Sequence, residues 1–123
     1  MSGSRTTSEA SEQMALMSWA EYARQTMPEL GLLHHIPNGG SRNKAEAARF
    51  KAMGVKAGVP DLFLPVARGG FHGLYIELKR EDAGRASGAQ KDWIEALRAQ
   101  GYRVELCHGW DAAREVIEGY MRG

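Results

Sequence analysis

The stretch from Gly58 to Arg80, GVPDLFLPVARGGFHGLYIELKR, limits what this chain can fold into more than any other segment. Two apolar runs, DLFLPV and LYIELK, stand on either side of a glycine-rich loop. About seven residues separate them, too few for a parallel crossover, so an antiparallel hairpin is expected. If the chain reverses at Gly69 and Gly70, the position numbers of facing residues sum to about 138 to 140. Asp61 then faces Glu77 or Lys79, with Cβ atoms ~5 Å apart. Side chains alternate along a strand, so Tyr75, Glu77 and Lys79 share one face and Leu74, Ile76 and Leu78 the other.

Charges in strands of this kind are costly unless something uses them. Two carboxylates held that close repel unless one keeps its proton or a cation lies between them. Hard divalent ions such as Mg²⁺ take oxygen ligands, typically one or two carboxylates with waters and substrate phosphates. Lys79, on the same face, could orient or help deprotonate an attacking water, or offset charge growing on a phosphate. The plainer alternative is a cross-strand ion pair of Lys79 with Asp61 or Glu77, worth ~0.2–1 kcal/mol.

The rest of the chain supplies helices and two more strands. Leu16, Trp19, Ala23 and Met27 recur at helical spacing, which predicts a helix over Ser8–Met27 closed by Pro28. GLLHHIP followed by PNGG reads as a strand and a turn. NKAEAARFKAM is alanine-rich and helical, with Gly54 placed to end it. GAQKDWIEALRAQ is a helix ended by Gly101, YRVELCH a strand, and WDAAREVIEGYM a closing helix. The order α–β–α–β–β–α–β–α is a mixed α/β arrangement, and the helix before YRVELCH suits a parallel return of that strand.

At 123 residues the chain has the size of one domain. Residues 1–7 are expected to be a flexible polar lead-in and residues 8–123 a single domain. No apolar run reaches the ~20 residues that span a bilayer, and none resembles a secretory signal. Cys107 is the only cysteine, which excludes an internal disulfide and a multi-cysteine metal site and points to a reducing, cytoplasmic setting. The net charge is only +1. Even so, Arg42, Lys44, Arg49, Lys51 and Lys56 cluster around a single acid, Glu46. That cluster is either a solvated helix face or a surface for a polyanion.

The motif Pro60-Asp61 followed by Glu77-Leu78-Lys79 resembles the signature of the PD-(D/E)xK nuclease superfamily. The longer series EQMALMSWA, HIPNGG, KAGVPDL, IELK, QKDWIEAL and GYRVELCHGWDAA is similar to a stand-alone VRR-NUC domain, the virus-type replication-repair nuclease family. The resemblance runs from about Glu12 onward. It implies the restriction-endonuclease-like core αβββαβ, a mixed central sheet flanked by helices. To this the chain adds one helix after the first strand and one at the C-terminus.

The resemblance also implies metal-dependent hydrolysis of DNA phosphodiesters with Mg²⁺ or Mn²⁺ and no small-molecule cofactor. The small phage and bacterial members it resembles act on branched DNA such as four-way (Holliday) junctions, as homodimers; longer relatives act on flaps. Asp61 and Glu77 match the two metal-binding acids, the Leu78 carbonyl a further ligand, and Lys79 the catalytic lysine. Glu12 matches the acid of the first helix, with Glu9 and Glu21 as rivals. Its plainer role is an acid in the first turn of a helix, worth ~0.3–1 kcal/mol. Gln90 matches a glutamine near the lysine, and a helix-opening surface glutamine explains the same letter. Asn38, with Gly39 and Gly40, could present backbone N–H groups to a phosphate beside Arg42, although a plain turn would read the same. Arg42, Lys44, Arg49, Lys51 and Lys56 would hold the flanking DNA backbone, making binding steeply salt-dependent. His34 and His35 alternate on a strand and do not form a helical zinc pair.

Overall fold

The computed structural model describes residues 8–38 and 43–123. Helix α1 (Glu9–Ala23) starts at Ser8, whose side chain accepts from Ser11 N. It stops four residues before Met27, and a 3-10 helix at Pro28–Leu32 takes up part of the expected first strand. Strand β1 is therefore only His34–His35. Helix α2 (Lys44–Ala52) is capped by Asn43, whose Oδ1 accepts from Ala45 N and Glu46 N. Strands β2 (Leu62–Leu64) and β3 (Leu74–Lys79) form the hairpin. Helix α3 (Gly88–Ala99), β4 (Arg103–His108) and α4 (Trp110–Arg122) complete the chain.

The four strands make one sheet in the order β1-β2-β3-β4. β1 pairs antiparallel with β2, and β2 antiparallel with β3. β4 runs parallel to β3, as the intervening helix requires. The hairpin reverses at Gly69 and Gly70, with φ of 58° and 88° and Arg68 bridged to Phe71. Two consecutive positive φ values are what a tight turn matched to strand twist demands, and glycine meets that demand without steric cost.

The two faces of the sheet differ. Leu62, Leu64, Leu74, Ile76 and Leu78 are buried with Leu16 and Ala20 of α1 and Ala113, Ile117 and Tyr120 of α4. This is the hydrophobic core. The opposite face carries Phe63 stacked on Tyr75, with ring centroids 4.2 Å apart, and Tyr102 edge-on to both. Going along β3, that second face changes from aromatic at Tyr75 to charged at Glu77 and Lys79.

Candidate active site

The hairpin register sets the central pair. Leu62 faces Ile76, and one step further along the ladder Asp61 comes opposite Glu77. Asp61 is held from both sides. Its Oδ2 accepts from Leu78 N at 2.8 Å, while its carbonyl accepts from Ile36 N at 2.7 Å and meets His35 Nδ1 at 2.9 Å. A carbonyl only accepts, so His35 Nδ1 is the donor in that contact.

Glu77 is 2% exposed. Its Oε2 accepts from Gln90 Nε2 at 3.0 Å and lies 3.9 Å from Lys79 Nζ. Its Oε1 is buried with no hydrogen-bond donor among the described residues. Burial first, then the Asp61 charge, pushes the Glu77 carboxyl up to about 8, with Lys79 pulling the other way and Glu9 adding to the rise. A proton shared between the two carboxyls contributes to the same rise. Oε1 therefore lacks a partner while both acids are ionised, and acquires one only by taking up a proton or a cation.

Gln90 does two jobs at once. It stands in the first turn of α3 in a capping box: its N donates to Ser87 Oγ at 3.2 Å and its Oε1 accepts from Ser87 N at 2.8 Å. Because a backbone N–H must meet the amide oxygen, the amide nitrogen is left to face Glu77. Gly58 lets α3 come this close. A Cβ built there would sit 2.8 Å from the Ala89 carbonyl, so the loop leading into Asp61 and the turn carrying Gln90 touch only because residue 58 has no side chain.

The remaining expected residues fall in separate places. Glu12 is 4% exposed, and its Oε1 accepts from Trp110 N at 2.9 Å, filling the cap position at the α4 N-terminus, where Gly109 offers no side chain. Glu9, one turn earlier, lines a recess of about 270 Å³ with Gln13, His35, Asn38, Asp61 and Leu78. Lys44, Arg49, Lys51 and Lys56 are exposed on α2 and the turn after it. Arg42, Gly39 and Gly40 lie outside the described residues. The sequence names Glu9 only as a rival of Glu12, sets His35 aside as a zinc ligand, and does not mark Gln13 as a site residue. Glu9 and Gln13 lie about one helical turn apart, and that spacing is the signal that groups them.

Among the described residues no three His, Cys, Asp or Glu side chains gather as a self-sufficient metal cage. Two carboxylates with an orphaned oxygen suit a hard divalent ion that takes its other ligands from water and phosphate. A four-stranded mixed sheet flanked by helices is an α/β architecture consistent with the restriction-endonuclease-like fold. The VRR-NUC domain family matches residues 7–111, and the chain belongs to that nuclease family. A solved structure described as a VRR_NUC domain protein has a TM-score of 0.82 and 39% identity, covering 96% of this chain and 91% of that one. No curated protein matches the chain.

Proposed function

We propose that this protein is an endonuclease that hydrolyses DNA phosphodiesters with the help of Mg²⁺ or Mn²⁺ at the Asp61–Glu77 pair. The observation that carries the proposal is the buried, donorless Glu77 Oε1 beside a second carboxylate. Asp61, Glu77 and the Leu78 carbonyl would hold the ion. Bound there, it would neutralise the acid pair and supply Lewis-acid stabilisation of charge on the scissile phosphate. Lys79 stands beside Glu77 with its side chain 14% exposed, and in this reading it would orient the attacking water and offset charge on the phosphate. Gln90 fixes the orientation of Glu77 through its amide nitrogen.

Motif and geometry differ over the helix acid. Glu12 carries the motif, yet one of its oxygens is committed to α4; Glu9 lines the recess and bears electrostatically on Glu77. We assign the recess to Glu9 and the α4 cap to Glu12. The proposal extends to branched DNA, including four-way junctions, cut by two copies of the chain, since each chain carries one such pair and a junction presents paired strands.

Digestion of a labelled junction and of its linear arms, with Mg²⁺ and with EDTA, tests the reading. Cleavage only with the metal, and faster on the junction, is expected. Asp61→Ala and Lys79→Ala should bind DNA and fail to cut it; unchanged cutting by either would remove the site. Light scattering of the DNA complex should give two copies per junction.

A further inference from the structure

Among the helices of the described residues, α2 alone buries no side chain. Phe50 is nevertheless half-buried, while Met53 near it is 72% exposed. Unlike Met53, Phe50 lines a hollow of about 400 Å³ between α2, the turn that follows it and Asn38. Phe50, Val55 and Ala57 give it apolar walls, and Lys51 and Lys56 give it cations. Val55 N donates to the Phe50 carbonyl at 2.9 Å, a backbone bond that folds the turn back and brings both apolar side chains to one place. Neither lysine is ion-paired among the described residues. Asn38 lines both this hollow and the acid recess, so the two spaces are neighbours.

The volume falls within the roughly 300–1,000 Å³ of small-ligand sites. The chemistry of the walls narrows the ligand. A bare phosphate has no use for Phe50 and Val55, and an apolar peptide or lipid chain has none for two free lysines. A nucleotide with its base out of the stack matches both halves, with a π face for the phenyl ring and a phosphate for the cations. In a linear duplex both faces of each base are already covered, and exposing one costs unstacking energy.

We propose that this hollow is a subsite for one unpaired nucleotide flanking the scissile phosphate, its base against Phe50 and its phosphate on Lys51 and Lys56. The proposal rests on the nuclease reading above and gives it a physical source of selectivity for forked and flapped DNA; a preference for a fully paired four-way junction comes instead from the pairing of two copies. DNA already carrying an unpaired nucleotide beside the cut fills the hollow without the unstacking cost.

The test uses the full chain in EDTA, with a linear duplex and with a fork whose single-stranded arm carries 2-aminopurine next to the junction. Wild type should bind the fork more tightly and change the 2-aminopurine fluorescence. Phe50→Ala should weaken fork binding roughly 5- to 150-fold and abolish the fluorescence change. It should leave duplex binding within about twofold, and Phe50→Tyr should restore the fork preference. Lys51→Ala should weaken both DNAs. Equal losses on fork and duplex with Phe50→Ala, or a silent fluorophore in wild type, would overturn the subsite. The fluorescence measurement needs no variant, so it stands even if Phe50→Ala unfolds. Metal-dependent cutting by wild type with no fork preference sinks the subsite and spares the nuclease; a wild type that cuts no DNA sinks the nuclease reading itself.

Discussion

Glu12 and Glu77 are both almost fully buried, at 4% and 2% exposure, and the fold treats them in opposite ways. Glu12 meets the backbone N–H of Trp110 at the start of α4, where the helix dipole favours a negative charge. Glu77 faces another carboxylate and keeps one oxygen without a donor. A buried acid given a backbone donor ties two helices together. A buried acid given a rival instead leaves an unmet demand, and a fold keeps such a demand where a ligand meets it.

The largest expected effect is on cleavage. Glu77→Gln should lower the rate by at least about 100-fold, the scale of losing a charge-stabilising group. Glu12→Gln keeps an oxygen for Trp110 N and should stay within a few-fold, as measured on the same DNA. Glu9→Gln should fall between them.

Stability should rank the two acids the other way round. Glu12→Ala strands the Trp110 N–H and should cost roughly 1–3 kcal/mol, read as a fall in melting temperature of roughly 4 °C per kcal/mol. Glu77→Gln removes the repulsion and should raise the melting temperature of the metal-free protein at pH 8 and above.

The pH dependence follows from the raised Glu77 carboxyl. The native state binds the extra proton, so this group's contribution is complete below about pH 4.5 and is lost as pH rises through about 8. Metal-free wild type should lose up to about 1.4 kcal/mol per pH unit from this source across that window. Glu77→Gln should lack that slope in denaturant melts at several pH values.

A smaller effect lies at Gly58. Gly58→Ala puts a Cβ against the Ala89 carbonyl and a side chain at φ 90°, which should cost about 1–3 kcal/mol. It should also slow cleavage by shifting Gln90 away from Glu77. Equal stability with unchanged activity would show that the approach of α3 does not matter.

Much of the Glu77 surroundings was legible in the sequence because it is local. Gly69 and Gly70 fix a two-residue turn, the turn fixes the register, and the register puts Asp61 opposite Glu77. Alternation then separates the core face from the charged face. The expected order of helices and strands is the observed one, with β4 parallel to β3. Gln90 opens α3 and, through the same amide, reaches Glu77, a contact that its place at a helix start does not announce.

What escaped the sequence depends on distant partners. Glu12 is capped onto a residue 98 positions away, and its helical stripe showed only that it faces inward. Which acid of α1 lines the recess depends on where that helix crosses the sheet. The 3-10 turn at Pro28–Leu32 shortened β1 because a two-residue strand is specified by its pairing with β2 and not by its own apolar run. His35 is fixed by a backbone carbonyl of Asp61, which leaves no mark in side-chain spacing.

Calorimetric titration of the protein with Mg²⁺ at pH 7, repeated in buffers of different protonation enthalpy, tests the central claim most directly. If Asp61 and Glu77 share a proton that a cation displaces, binding should release close to one proton per ion in wild type and none in Glu77→Gln. Mg²⁺ binding without proton release, or the same release from Glu77→Gln, would contradict it.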